Sequence, residues 1–135
     1  IHLRDINPSE TTLCVIDDFV CDDAKTLKKL DNWFIASRRQ GVQLVIITQK
    51  DTALPTLWRS QIGYRIVKPG VNPEDMLRML HNLTQSANIP KVMALYKQIC
   101  EKGKETDFLL IDSVTKELKL KFRWNYRPTD IGLVK

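Results

Sequence analysis

The sequence predicts an α/β protein in which a mostly parallel sheet is flanked by helices. Apolar runs of strand length alternate with segments whose apolar residues recur at helical spacing. Two of these runs, Leu13–Ile16 and Leu44–Ile47, are followed by polar side chains, as is typical of the carboxyl edge of a parallel sheet. The chain has 135 residues, of which 43% are hydrophobic and 27% charged. This composition predicts one globular domain over residues 1–135.

The first half of the chain predicts a strand, a helix and a second strand. The first strand is expected at Thr12–Asp17, and the helix at Asp22–Arg39, where apolar residues are spaced by three and four. Asp22 or Asp23 is suited to cap the start of this helix. Val42–Thr48 is an unbroken run rich in β-branched residues, which predicts a strand covered on both faces.

The second half predicts shorter helices and three further strands. Pro55 is expected to open a short helical turn. Asn72 and Pro73, followed by two acids, predict a helix from there to about residue 83. Another helix is expected over residues 88–103. The remaining strands are predicted at Tyr64–Val67, Phe108–Ile111 and Leu118–Trp124, the last two forming a hairpin.

Composition excludes several classes of protein. No apolar run approaches the roughly 20 residues that a membrane-spanning helix needs, and no signal peptide is recognisable at the start. Three cysteines and two histidines predict neither a disulfide framework nor a zinc site, and a cytoplasmic location is expected. The net charge of +5 suits a polyanionic partner. Lys119, Lys121 and Arg123 belong to a surplus of basic residues late in the chain that could contact such a polyanion, and solvated surface is the alternative.

The adjacent carboxylates of Asp17 and Asp18 carry the strongest chemical prediction. Charged groups at the end of a buried strand are costly without a cation or hydrogen-bond donors. Mg²⁺ prefers oxygen ligands and often uses one or two carboxylates together with phosphate oxygens. The pair could therefore hold Mg²⁺ and activate a water molecule, whereas capping of the following helix is the structural alternative.

Three more residues could act on a phosphoryl group. Gln49 follows the second strand, and its amide can both donate and accept hydrogen bonds, so it could sense a γ-phosphate. Arg38 and Arg39 precede that strand, where a planar, permanently charged group could reach the nucleotide of a neighbouring subunit. The alternatives are a turn residue for the glutamine, and cations at a helix C-terminus for the arginines.

A phosphoacceptor receiver domain also places acids, a hydroxyl group and a lysine at successive strand ends. That fold requires an intermediate strand that ends in the acceptor aspartate. Between Asp18 and Thr48 the sequence predicts one helix and no such strand, so the receiver fold is disfavoured.

The ordered set of motifs resembles the FtsK/HerA class of P-loop ATPases, especially the genome-packaging ATPases of large DNA viruses of the poxvirus type. The resemblance covers about residues 12–122. Leu13–Phe19 resembles the Walker B strand, and residues 37–49 resemble the segment with arginines, a glycine, a strand and a Thr-Gln sensor. Leu54–Arg59 with Tyr64–Val67 resembles the next loop and strand. Phe108–Asp112, with Lys121 and Phe122 later in the chain, resembles the terminal strands of the viral branch.

This resemblance implies a RecA-like core that binds ATP and Mg²⁺. It implies that Asp17 holds Mg²⁺, through water, that Asp18 is the catalytic acid, and that Thr48 and Gln49 contact the nucleotide. Many members have Glu at the position of Asp18. Arg38 or Arg39 would act across the interfaces of a homo-oligomeric ring. Double-stranded DNA is the implied partner, together with capsid or portal-type proteins, and host cytoplasm or virion the implied location.

The chain departs from the family in having no Walker A motif, Gly-x-x-x-x-Gly-Lys-[Ser/Thr], whose backbone amides and lysine cradle phosphates. The expectation is therefore the C-terminal part of an ATPase that is inactive by itself, an incomplete domain carrying Walker B and sensor elements. The alternative is a stand-alone, non-catalytic α/β module that binds DNA or a protein partner. A strand and P-loop encoded upstream of Ile1 would distinguish the first from the second.

Overall fold

A computed structural model of the chain describes residue 7 and residues 9–20 and 23–134. The chain divides into two compact units, the first ending at Gln61 and the second beginning at Ile62. Both helices and strands are present, so the predicted α/β class is confirmed. The prediction of a single domain over residues 1–135 stays a prediction. Among the described residues, no helix is both long enough and apolar enough to cross a membrane.

The first unit is a strand–helix–strand arrangement with an additional short helix. The strands β1 (Thr12–Ile16) and β2 (Val42–Ile46) pair in parallel over their full lengths. The helix α1 (Ala24–Arg39) connects them and packs against β2. A second helix, α2 (Thr56–Gln61), packs against α1. A helical connection between adjacent parallel strands returns the chain from the carboxyl edge of the sheet to its amino edge.

Local sequence signals set both ends of α1. The Asp23 carboxylate caps the N-terminus by accepting hydrogen bonds from the backbone N–H groups of Lys25, at 3.4 Å, and Thr26, at 3.0 Å. Asp22, the other predicted cap and the first residue of the predicted helix, lies outside the described residues. Gly41 has a φ of +72°, in the left-handed region that glycine adopts without steric cost, and the chain turns there into β2.

In the described part of the first unit, only one face of the two-stranded sheet is covered. Alternate residues, beginning with Val42 in β2, are buried or half-buried on the face toward α1. The opposite face, called here the exposed apolar face, consists of side chains that are 44–60% exposed: Leu13, Val15, Val45 and Ile47. The sequence predicts that β2 is covered on both faces, and the structure departs from that prediction.

The first helix of the second unit begins where its capping residue predicts. The helix α3 (Pro73–His81) has Asn72 as its N-cap, whose side-chain oxygen accepts a hydrogen bond from the Glu74 N–H at 2.8 Å. The helix α4 (Ile89–Lys102) follows after a short 3-10 turn. The Tyr96 hydroxyl donates to the backbone carbonyl of residue 68 at 2.9 Å, which ties α4 to the turn before α3.

The sheet of the second unit is antiparallel. Its strands are β3 (Tyr64–Val67), β4 (Leu109–Asp112) and β5 (Phe122–Trp124), with β4 in the centre. The pairing of β4 with β5 confirms the predicted hairpin. A mostly parallel sheet is not confirmed, because among the described residues only β1 and β2 form a parallel ladder.

The prediction of a strand over the whole of Leu118–Trp124 is wrong in its first half. Leu118–Lys121 form a short helix, α5, and only the last three residues belong to β5. The alternation of leucine and lysine suits a strand, but the Leu120 N–H donates to the Glu117 carbonyl at 3.1 Å and closes a helical turn. This turn leads into Phe122, which is fully buried, so tertiary packing outweighs the local alternation.

A single apolar core holds the second unit together. It lies where α3 and α4 pack together and joins them to the strands of the sheet. Its buried members are Val67, Met76, Met79, Leu80, Ile89, Val92, Leu95, Tyr96, Ile99, Leu109, Ile111 and Phe122.

Candidate functional site

The ends of β1 and β2 lie side by side and form the candidate site. Their parallel ladder is extended by the Ile47 N–H, which donates to the Ile16 carbonyl at 2.8 Å. The Phe19 N–H then donates to the Ile47 carbonyl at 3.1 Å. The two residues between Ile16 and Phe19 are Asp17 and Asp18. Hydrogen bonds on either side of the acid pair therefore attach it to the end of β2, where Thr48 and Gln49 follow. This cluster of four polar residues is called the strand-tip site.

The two carboxylates of the strand-tip site are exposed. Among the described residues, neither has a hydrogen-bond partner or a cation beside it. Asp18 has a φ of +51°, in the left-handed region, where most residues with a β-carbon are strained and Asp is tolerated better than bulkier residues. Backbone strain of this kind persists where neighbouring structure holds it in place.

The donor set of the strand-tip site fits one kind of metal site. Within residues 9–20 and 23–134, no group of three or more His, Cys, Asp or Glu side chains could hold a metal ion by itself. Two carboxylates are nevertheless sufficient for Mg²⁺ when phosphate oxygens and water supply the other ligands. Asp17 and Asp18 supply the carboxylate oxygens that such a Mg²⁺ site requires.

Thr48 and Gln49 differ in what their side chains contact. The Thr48 hydroxyl lies 3.1 Å from the Lys50 carbonyl oxygen and 3.5 Å from that of Phe19, and either oxygen can accept its proton. It thereby links the loops after the two strands. The Gln49 side chain is exposed and has no hydrogen-bond partner among the described residues. Its amide is available to a ligand, whereas the threonine hydroxyl is already engaged with backbone.

Arg38 and Arg39 lie at the opposite edge of the same sheet. They form the last turn of α1, just before the amino end of β2, and the strand-tip site lies beyond its carboxyl end. A strand of five residues separates the two edges by roughly 16 Å. Within one chain the arginines therefore do not join the acids, and Arg38 donates from its guanidinium to the Gln61 side-chain oxygen. Arg39 is exposed.

The residues predicted to contact DNA have different surroundings. The Arg123 guanidinium donates to the Asp112 carboxylate at 2.9 Å, and these side chains are 17% and 10% exposed. The Arg123 charge is therefore neutralised by Asp112 within the second unit and is not presented to a polyanion. Lys119 is exposed and lies 3.9 Å from Glu117, a separation at which a solvated pair binds weakly. Lys121 is half-buried, so Lys119 is the more accessible of the two lysines for contact with a polyanion.

An aromatic cluster next to the acid pair was missed by the sequence analysis. The Phe19 ring lies 5.1 Å from the Trp58 ring, which stacks on the Phe34 ring at 4.8 Å. All three side chains are buried. They come from three separated segments, so no spacing in the sequence reveals the contact. The sequence does show an aromatic residue, Phe19, directly after two acids. A large apolar ring is expected to be buried, but the sequence does not indicate which residues it contacts.

A polar cluster in the second unit was also missed. The Asp107 carboxylate accepts hydrogen bonds from the Asn125 side chain at 2.9 Å, the Lys104 N–H at 3.0 Å and the Trp124 indole at 2.9 Å. These donors, the Asn125 amide above all, lower the pKa of Asp107 to about 2. Asn125 has a φ of +54°, so the cluster secures a left-handed turn after β5. Its role is to join the two ends of the hairpin.

Comparison with known proteins gives no relative: no family model, curated protein or solved structure matches this chain.

Proposed function

We propose that the chain is the C-terminal part of an ATP-driven translocase of double-stranded DNA, of the type that packages viral genomes. In this proposal the chain senses the nucleotide and activates the attacking water. The observation that supports it most is the strand-tip site, where Asp17 and Asp18 lie beside Thr48 and Gln49 at the carboxyl edge of a parallel strand pair. Ligands of α/β sheets bind at that edge. The β1–α1–β2 unit would belong to a RecA-like, mostly parallel core.

Each residue of the strand-tip site has a role in this proposal. Asp17 holds Mg²⁺ through water, and Asp18 accepts a proton from the attacking water. Gln49 contacts the γ-phosphate and aligns that water, for which its unengaged amide is suited. Thr48 keeps the two loops together. When bound, Mg²⁺ would neutralise charge on the phosphates and on the two acids.

The arginines suit action on a second subunit. Because both lie at the far edge of the sheet from their own acids, they could reach only the nucleotide of a neighbour in a ring. Arg39 is the better candidate, since Arg38 would first have to give up its hydrogen bond to Gln61. A permanently charged guanidinium in this position stabilises the charge on a phosphoryl group during transfer.

The exposed apolar face supports the proposal that the ATPase domain is incomplete in this chain. Parallel sheets occur almost only with both faces covered. Leu13, Val15, Val45 and Ile47 instead leave one face of the β1–β2 pair exposed. In the proposed parent protein, polypeptide that includes the phosphate-binding loop covers this face.

Substitution of Gln49 tests the nucleotide-sensing role. In the intact ATPase, Gln49→Ala should lower turnover of ATP by about a hundredfold or more, because one preorganised donor to the reacting group is lost. ATP affinity, measured by calorimetry, should change little. The matched control is Gln43→Ala, an exposed glutamine at the other end of β2, which should leave both values unchanged.

Two outcomes would contradict the proposal. Equal turnover in the Gln49 and Gln43 variants would remove the sensing role. Binding of DNA by the intact wild-type parent protein without any ATP hydrolysis would identify a non-catalytic binding module instead.

Charge reversal tests the proposed contact with DNA. Lys119→Glu with Lys121→Glu should weaken binding of double-stranded DNA and reduce the dependence of log K on log salt by about two, one unit for each lost phosphate contact. Lys28→Glu with Lys29→Glu makes the same change in net charge on the exposed surface of α1 and serves as control. An identical salt dependence in the two double variants would show that only net charge matters and that the lysines at 119 and 121 are ordinary surface.

A further inference from the structure

The buried aromatic cluster begins one residue after the acid pair. Phe19 is 7% exposed, and its ring meets the indole of Trp58 at an angle of 43°. Trp58 is fully buried and stacks on Phe34 with an angle of 10° between the ring planes. These three residues are called the aromatic stack. They connect the carboxyl end of β1 to both α1 and α2, which are the two helices of the first unit.

The backbone of Phe19 is held as firmly as its ring. Its N–H donates to the Ile47 carbonyl at 3.1 Å, and its carbonyl lies within 3.5 Å of the Thr48 hydroxyl. On the other side of the acids, Ile16 accepts from the Ile47 N–H at 2.8 Å. The two residues between these anchors therefore span a fixed gap.

The conformation of Asp18 requires such anchors. Its φ of +51° is one that residues with a β-carbon rarely adopt. If Phe19 were free to move, Asp18 could relax to an extended conformation, and its carboxylate would point in a different direction. Rotation about the backbone at one residue is enough to change the direction of the side chain.

We propose that Phe19 and Trp58 are positioning residues: the aromatic stack holds the left-handed turn at Asp18 and so keeps the acid pair at the carboxyl end of β2. The roles of these carboxylates rest on the function proposed above, but the anchoring of the turn does not. Neither aromatic residue contacts the nucleotide in this proposal. They act only through the backbone of the acid pair.

Hydrogen exchange on the chain itself tests the anchoring. Phe19→Leu removes the ring contact and keeps an apolar side chain, and it should speed exchange of the hydrogen-bonded amides of Phe19 and Ile47 by at least about tenfold. Trp58→Phe keeps an aromatic ring against Phe19 and should speed their exchange less. The control is Phe108→Leu, which disrupts the aromatic pair with Tyr126 in the second unit and should leave both amides unchanged.

Turnover in the intact ATPase tests the consequence for the acids. Phe19→Leu should lower kcat by about tenfold with KM for ATP nearly unchanged, since misplaced catalytic groups affect chemistry more than binding. Trp58→Phe should retain most of kcat. Phe108→Leu should retain all of it.

The two measurements separate the possible failures. Unchanged exchange in both Phe19→Leu and Trp58→Phe overturns the positioning role, whatever the enzyme does. If Phe19→Leu unfolds the first unit, as judged by circular dichroism, hydrogen exchange in Trp58→Phe tests the anchoring by itself. Faster exchange of the Phe19 and Ile47 amides supports the positioning role, and unchanged exchange overturns it. Absence of ATPase activity in the intact wild-type parent protein removes the proposed function, while faster exchange in the variants would still establish the anchoring. Equal losses of kcat in the Phe19 and Phe108 variants would show a general effect on folding.

Discussion

The two units of this chain differ in how completely they bury their apolar residues. In the second unit, two helices and a three-stranded antiparallel sheet enclose a core of twelve buried residues. In the described part of the first unit, five apolar side chains are buried, and one whole face of the sheet is exposed. The strand-tip site lies in this less complete unit. The larger apolar core and the candidate functional site thus lie in different parts of the chain.

The difference indicates where stability and function reside. Stability scales with the apolar area removed from water, so the second unit should contribute most of it. The first unit exposes polar groups at one edge of its sheet and apolar groups on one face of it. Both sets of side chains are accessible for contact with other molecules or with further polypeptide. Three experiments can test this comparison, and they follow in order of expected effect.

The largest effect is expected in the core of the second unit. Phe122→Ala should lower the free energy of unfolding by about 3–5 kcal/mol, because a fully buried ring is replaced by a cavity. Urea unfolding followed by circular dichroism measures this loss. Ile66→Ala, in a strand of the same sheet but 58% exposed, should change it by less than about 0.5 kcal/mol. Similar losses in both variants would mean that the core is not where the structure places it.

An intermediate effect is expected at two neighbouring residues of β2. Leu44→Thr places a hydroxyl group on the face toward α1 and should cost about 1–3 kcal/mol. Val45→Thr makes a similar change on the exposed apolar face and should cost less than about 0.5 kcal/mol. Both values come from urea unfolding. A cost at Val45 as large as that at Leu44 would show that this face is covered in solution, which would remove the contrast between the units.

The sequence predicts these elements unequally well. The bounds of β3 agree with the prediction, and the starts of α1 and α3 follow from Asp23 and Asn72, because capping and strand alternation are local signals. Strand direction is not local: the residues of β3 predict a strand, but only its pairing with β4 makes it antiparallel. Leu118–Lys121 became a helix for the same reason, since their neighbours in space decided the outcome.

The strand-tip site was predictable in outline and not in detail. Two parallel strands joined by a helix must end at the same edge, which brings Asp17 and Asp18 toward Thr48 and Gln49. The left-handed conformation of Asp18 and the contact between Phe19 and Trp58 depend on tertiary packing. They have no counterpart in any spacing along the chain.

The smallest effect concerns the pH dependence of the second unit. Hydrogen bonds from Asn125, Lys104 and Trp124 lower the pKa of Asp107 to about 2 in the folded protein, below the value of about 3.9 for an unfolded chain. The unfolded state therefore binds the proton first, so this group stabilises the fold above pH 4. Its contribution declines as the pH falls from about 4 to about 2.

Asp107→Asn removes this titration. The variant should be less stable than the wild type at pH 6, and the difference between the two should narrow as the pH approaches 2. Thermal melts from pH 6 to pH 2 provide the measurement. Glu105→Gln removes an exposed carboxylate close to Asp107 in sequence and is the control; it should not reproduce this narrowing. A constant difference between Asp107→Asn and the wild type at every pH would contradict the assigned pKa.

The last residues of the described chain constrain how the second unit can be synthesised. Asn88 is 2% exposed, and its side-chain amide donates to the Val134 carbonyl at 2.7 Å and accepts from the Val134 N–H at 2.8 Å. The start of α4 is thus completed by a segment made some forty residues later. During translation, this buried amide has no such partner until residue 134 has emerged from the ribosome. Folding of the second unit should therefore finish only after Val134 has been made, and removal of the segment around Val134 should destabilise a helix that lies far from it in sequence.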